Sequence, residues 1–199
     1  MLEVRGLACA RGERTLFSDV GFSLAPGQWL HVRGENGAGK TSLLRVLVGL
    51  AHAEAGEVRW AGDRTPSQRF REEALYLGHH AAMKDELTPL ENLRTALALD
   101  GVPPDETAIL RTLARLGLRG REVLPVRVLS AGQKRRVLLS RLLLRPAKLW
   151  VLDEAFNALD TTAVELLGAL IGEHLGAGGL AVLTSHQPLP LPGGETLTL

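Results

Sequence analysis

Apolar residues alternate with polar ones at Leu2, Val4 and Leu7 and again at Val20, Phe22 and Leu24. A period of two predicts half-exposed antiparallel strands, with Pro26-Gly27 as the turn that follows them. Gln28 to Arg33 reads as a further strand that runs into a glycine-rich stretch, after which leucine and valine recur at helical spacing from Thr41 to Val48 and stop at Gly49. Strands are predicted at Glu57 to Ala61, ahead of a Gly62-Asp63 turn, and at Ala74 to Leu77. From about Leu87 the pattern turns helical. Glu91 to Asp100 and Thr107 to Leu116 are amphipathic and are separated by the breaker Gly101-Val102-Pro103-Pro104. Ala131 to Arg145 is a strong helix stopped by Pro146, and Lys148 to Leu152 is an apolar run of the kind that fills a strand buried on both faces of a parallel sheet. A helix at Thr162 to Leu175, a strand at Leu180 to Thr184 and a short strand at Thr196 to Leu199 complete the chain, which holds no internal repeat or low-complexity tract. The expected fold is α/β: a mixed parallel core sheet, an antiparallel β part at the N-terminus and an inserted helical lobe.

Composition narrows the function classes. The 199 residues are 45% hydrophobic and 23% charged, the balance of a folded chain with a real core. The net charge is only +1, which leaves no overall field to hold nucleic acid or an anionic membrane. Cys9 is the single cysteine, so no internal disulfide forms, and with no Cys/His spacing around it a small buried apolar role is expected. The start Met1-Leu2-Glu3-Val4-Arg5 lacks the basic flank and apolar run of a signal peptide, so the chain is expected to remain in the cytoplasm. Every apolar run is interrupted short of the roughly 20 residues that span a bilayer.

Gly34-Glu35-Asn36-Gly37-Ala38-Gly39-Lys40-Thr41 fits the phosphate loop, with a strand before it and a helix after it. Its glycines let backbone N–H groups approach phosphate oxygens, and the helix adds its positive end. Lys40 is placed to reach the β- and γ-phosphates and Thr41 to coordinate Mg²⁺, with Ser42 supporting the loop. The loop alone gives nucleotide binding without the biology. Leu149-Trp150-Val151-Leu152-Asp153-Glu154 narrows it, because an apolar strand delivers two carboxylates to the sheet edge where open α/β folds bind ligands. Asp153 is read as a Mg²⁺ ligand, and Glu154 as the group that orients or deprotonates water.

Leu129-Ser130-Ala131-Gly132-Gln133, just before that strand, resembles the signature motif of ABC ATPases, with Ala131 where the family has glycine. Ser130 can cap the helix and face a phosphate, Gly132 keeps the backbone accessible, and the helix dipole favours an anion. The resemblance covers essentially the whole chain: Ala158-Leu159-Asp160 is similar to the D-loop, and Ser185-His186 to the segment bearing the switch histidine. It implies a P-loop NTPase of the ABC ATPase type, divided into a nucleotide-binding core (1–81), a helical subdomain with the signature motif (82–145) and the second part of the core (146–199). It also implies that ATP with Mg²⁺ lies between two copies of the chain, contacted by the phosphate loop of one and the signature of the other. His186 would contact the γ-phosphate, and movement would pass to integral membrane subunits near His79 to Lys84.

Two positions depart from the family pattern. His80 stands where a glutamine usually touches Mg²⁺ and water. Arg11 stands where an aromatic residue often stacks on adenine; a guanidinium also stacks on a base, and a solvated loop residue is the other reading of Arg11. The adjacent pair His79-His80 is not read as a metal or haem site, since neighbours on a strand point opposite ways. Ala155 replaces the proline that usually follows the glutamate.

Glu13-Arg14-Thr15-Leu16-Phe17, Gly78-His79, Leu149-Trp150 and Ser185-His186-Gln187-Pro188-Leu189, together with the signature, resemble the ATP-binding subunits of bacterial cytochrome c maturation haem exporters. That likeness implies a peripheral subunit on the cytoplasmic face of the inner membrane. It works with integral partners to release a haem-loaded chaperone, without itself touching haem or nucleic acid. The alternatives are the ATPase subunit of another small ABC exporter or importer, and a soluble ABC ATPase, for which no basic binding surface is evident.

Overall fold

The computed structural model describes residues 1–78, 83–185, 189 and 191–199. The expectations placed on His79, His80 and His186 therefore lie outside the described residues.

The N-terminal alternation forms a four-stranded antiparallel sheet. β1 (Leu2–Arg11) and β2 (Arg14–Leu24) make a hairpin, β1 also pairs with β4 (Ala55–Trp60), and β4 with the short β5 (Asp63–Arg64). β1 is irregular, its pairing with β4 slipping between Arg5 and Ala8. Gly6 and Gly56 face each other at this bulge, and a Cβ on Gly56 would lie 2.4 Å from the Gly6 carbonyl oxygen.

The second sheet runs in the order β6 (Ala74–Leu77), β7 (Leu149–Leu152), β8 (Leu180–Thr184), β3 (Trp29–Arg33), β9 (Glu195–Thr198), every pairing parallel. Every residue of β7 and β8 is buried, as a sheet covered on both faces requires. The period of two sorts their side chains. Leu149, Val151, Leu180 and Val182 pack with α1 (Lys40–Leu47) and the antiparallel sheet. Trp150, Leu152, Ala181 and Leu183 pack under α5 (Ala131–Leu144) and α6 (Thr161–Gly176).

A further core belongs to the helical region. Leu93 and Leu97 of α3 (Pro89–Leu99) meet Ile109 and Leu113 of α4 (Glu106–Arg115) and Val137 of α5. The neighbour of Val137, Leu138, faces the other way onto the sheet, so α5 is shared between the helical region and the core. Polar ties reinforce this junction. Arg141 donates to Asp100 at the end of α3 at 2.8 Å, and Arg145 donates to the Ala74 and Arg71 carbonyls, each at 2.6 Å.

Two helical details differ from the sequence pattern. α3 begins at Pro89, two residues before the expected Glu91, because Thr88 and Glu91 form a capping box and proline occupies the first turn. The six-residue α2 (Gln68–Glu73) was not expected; it is set by Ser67, whose side chain accepts from the Phe70 N–H, and has room for only one fully buried anchor, Phe70. Cys9 is buried, as its expected apolar role requires.

Gly56 has φ +86° as well as a crowded Cβ position, so Gly56→Ala is expected to destabilise the chain by about 2 kcal/mol or more through combined strain and displacement of β1. Equilibrium unfolding in denaturant checks this.

Candidate functional site

β3, β7 and β8 run side by side in one direction, so the segments leaving their carboxyl ends converge at one edge of the sheet. Gly34–Thr41 leaves β3, Asp153-Glu154 leaves β7, and Ser185 follows β8. The connection from β3 to α1 has its N-cap at Gly39, with φ +106° and no side-chain cap, and the first turn of α1 carries no acidic residue. Its leading N–H groups are thus free of the side chain that normally satisfies a helix start, which suits an anion. Gly39 cannot be larger, because a Cβ there would lie 3.0 Å from the Leu16 Cβ and 3.2 Å from the Phe17 ring. Lys40 is buried and donates from Nζ to the Gly34 and Glu35 carbonyls at 2.7 and 3.0 Å. The ammonium is thereby folded over the loop at the place a phosphate oxygen would occupy.

Asp153 and Glu154 are 1% and 8% exposed. Asp153 Oδ1 accepts a hydrogen bond from the Thr184 hydroxyl at 2.8 Å, and the same hydroxyl oxygen accepts from the Glu154 N–H, also at 2.8 Å. Asp153 Oδ2 is buried with no hydrogen-bond partner among the described residues, a vacant acceptor of high cost unless a cation meets it. Glu154 has φ +52°, a left-handed conformation that costs a non-glycine residue about 1–3 kcal/mol and clusters at functional sites. Tyr76, on the neighbouring β6, has its phenol pushed up first by burial and then by the Asp153 charge.

Against the phosphate loop lies a cleft of about 340 Å³ lined by Asn36, Gly37, Gly39, Lys40, Thr41 and Ser42 together with Glu154, Asn157, Arg11 and Leu16. Asn36, Gly37, Gly39, Lys40, Thr41 and Ser42 thus share one cleft with Glu154 and Arg11, while Gly34, Glu35 and Ala38 are not on its wall; the Ala38 N–H donates to the Glu35 carbonyl at 3.2 Å.

The signature residues are not in this cleft. Ser130 caps α5 in a box with Gln133: its hydroxyl accepts from the Gln133 N–H at 3.2 Å, and its own N–H donates to Gln133 Oε1 at 3.0 Å. Leu129 is buried, while Ser130 and Ala131 are exposed. Ala158-Leu159-Asp160 lies against them. A Cβ on Gly132 would come within 3.0 Å of the Ala158 carbonyl oxygen, and Asp160, the N-cap of α6, is paired with Arg136 of α5.

The sequence pattern assigned no site role to Thr184, Asn157, Leu16 or Arg135. Arg135 is in fact buried and donates to four backbone carbonyls around Asp153 and Glu154. A polar residue at the end of an otherwise apolar strand was the available signal for Thr184; none marked Asn157.

A phosphate loop at a helix start, a buried lysine over it and, at the end of β7, a buried carboxylate with one oxygen unpartnered among the described residues define a P-loop nucleotide triphosphatase. The comparisons with known proteins take this one step further. The model of the ABC transporter family matches residues 17–157. The cytochrome c biogenesis ATP-binding export protein CcmA of Methylococcus capsulatus is 53% identical over 190 residues, which cover 94% of this chain and 92% of that protein. Among solved structures, an ABC transporter ATP-binding protein of Pyrococcus furiosus superposes with a TM-score of 0.86 at 23% identity, over 100% of this chain and 96% of the other. A dimeric ATP-binding cassette in a post-hydrolysis state with ADP and Pi gives 0.82 at 20% identity, over 94% and 88%. This chain belongs to the ABC transporter family, as an ATP-binding and ATP-hydrolysing member.

Thr184→Val keeps the shape of the side chain but leaves the buried Glu154 N–H without its acceptor. A stability loss of about 1–3 kcal/mol is expected, together with reduced Mg²⁺-dependent ATPase activity; denaturant unfolding and phosphate-release assays read the two effects.

Proposed function

We propose that this chain is the ATPase subunit of a cytochrome c biogenesis haem exporter, working as a pair of copies on the cytoplasmic face of the bacterial inner membrane. The likeness to CcmA over nearly the full length of both chains supports the system. The composite site is supported by one observation: the cleft holds the phosphate loop and Glu154, but Leu129, Ser130, Ala131, Gly132 and Gln133 lie outside it. One chain thus presents two phosphate-directed surfaces that cannot serve the same nucleotide, and a second copy completes each site.

In this reading Gly34 to Ser42 hold the triphosphate, Lys40 leaves its loop carbonyls for the β- and γ-phosphates, and Arg11 and Leu16 flank the base. Asp153 and Thr41 fit a hard divalent cation: Asp153 offers a buried unpartnered oxygen and Thr41 a hydroxyl on the cleft wall. No group of three His, Cys, Asp or Glu side chains among the described residues could hold an ion alone, which suits Mg²⁺, since it takes its remaining oxygens from phosphate and water. When bound, Mg²⁺ supplies charge neutralisation at the phosphates. Glu154 orients the attacking water and accepts its proton, with His186 and His80 as further contacts to the nucleotide side. Ser130 and the first turn of α5 meet the γ-phosphate of the partner's ATP, and Ala158 to Asp160 carry the contact back toward Glu154. Loss of the γ-phosphate removes what both copies hold in common, and the pair opens.

The segments 1–81 and 146–199 act as the nucleotide-binding core and 82–145 as the lobe that passes movement to integral membrane subunits. No described helix is long and apolar enough to cross a membrane, so spanning is assigned to those partners. The chain makes no contact with haem or nucleic acid.

Glu154→Gln is expected to lower turnover by about 100-fold or more, the contribution of a positioned general base, while an ATP-bound dimer accumulates in light scattering. Parent-like turnover would remove Glu154 from its role. The system is tested separately by purifying tagged chain from membranes: co-purification of integral proteins that bind haem is expected. An integral partner for another cargo would overturn the exporter assignment and leave the ATPase site standing.

A further inference from the structure

Arg135 is 7% exposed, and no carboxylate among the described residues accepts a hydrogen bond from it. Its guanidinium is spent on backbone instead. Nη2 donates to the Asp153 and Glu154 carbonyls at 3.1 and 2.6 Å, Nε to the Ala155 carbonyl at 3.1 Å, and Nη1 to the Gly78 carbonyl at 3.3 Å. Carbonyls of consecutive residues in an extended strand point to opposite sides. Three in a row reach one cation only where the chain curls, and the curl is the left-handed Glu154, with φ +52°.

Packing does not explain a cation here. Leu138, Leu139 and Leu142 dock the same helix onto the sheet with aliphatic side chains, and a buried guanidinium without a paired carboxylate is costly. Burial pushes the Arg135 pKa down, and the charges of Asp153 and Glu154 oppose that. Arg135 is also absent from the wall of the nucleotide cleft, so it touches the reacting groups only through the loop it holds.

We propose that Arg135 is a positioning residue for ATP hydrolysis, fixing by its four carbonyl contacts the backbone turn that aims the Glu154 carboxylate into the cleft. The proposal rests on the assignment of Glu154 made above. It demands arginine in particular. The planar fork reaches four acceptors in two directions, whereas a lysine ammonium presents three donors from a single point. Because Arg135 lies only two residues beyond Gln133 on α5, the same contacts fasten the helix that serves the partner's nucleotide to the loop that serves the chain's own.

The test uses the full chain assembled with its membrane partners, in the variants Arg135→Lys and Arg135→Met beside Glu154→Gln. For Arg135→Met, kcat is expected to fall about 30- to 100-fold, the scale of a misplaced catalytic group, while KM for ATP changes less than about threefold, as for an interaction used only in the transition state. The ATP-bound dimer should accumulate as it does in Glu154→Gln. Arg135→Lys keeps the charge and loses the fork, so an intermediate kcat with unchanged KM is expected, and this variant carries the test if the methionine variant does not fold. Parent-like kcat in either folded variant overturns the proposal. So does a loss confined to KM, or a fall in kcat without accumulation of the ATP-bound dimer, which marks a merely structural role. If Glu154→Gln itself turns over normally, the underlying assignment of Glu154 has failed. If Glu154→Gln is trapped and the Arg135 variants behave as the parent, only the role of Arg135 has failed.

Discussion

Asp153 and Glu154 are carboxylates on neighbouring residues, both buried at the end of a strand whose side chains are apolar. Two like charges withdrawn from water repel each other and give up hydration, and the surrounding structure has to compensate for both. It does so from separate elements. The Thr184 hydroxyl of β8 donates to Asp153 and takes up the Glu154 N–H, and the Arg135 guanidinium of α5 gathers the carbonyls of the loop beneath them. Oδ2 of Asp153 has no hydrogen-bond partner among the described residues. Lys40 lines the cleft beside Glu154 and is held on loop carbonyls at 2.7 and 3.0 Å. An unmet anion and a cation held in reserve are complementary to a metal-bound polyphosphate, and the strain at Glu154 is stored in the loop that such a ligand would meet.

The helix α5 ties this site to a second one. Its N-terminus presents the Ser130–Gln133 capping box outward, its middle grips the loop after β7, and its far end is joined to α3 and β6 through Arg141 and Arg145. The D-loop residues join the same body through Arg136 and Asp160. α5 thus connects the nucleotide-facing loop to a surface outside the cleft and to the base of the helical region.

Much of this was written in the local pattern. The phosphate loop, the apolar strand ending in Asp153-Glu154, and the Ser130 cap each depend on spacing within a few residues, because glycine conformations, strand burial and helix capping are local constraints. The parallel sheet followed from strands apolar on both faces. The six-residue α2 is too short for its period to be read, and nothing local to Arg135 tells which face of α5 meets the sheet.

By itself, then, the sequence determined the order of the longer elements, the phosphate loop and the family, since each of these is carried by short-range motifs. Only the tertiary structure decided that Thr184 bridges two residues thirty positions away, that Arg135 is buried under the carboxylate loop, and that the signature turns away from the chain's own cleft. The physical reason is that these depend on strand order and on which face of α5 meets the sheet. Strand order brings β8 beside β7 and sets β3 on its far side. Only a side chain's surroundings in three dimensions settle whether its charge is solvated or spent on the backbone.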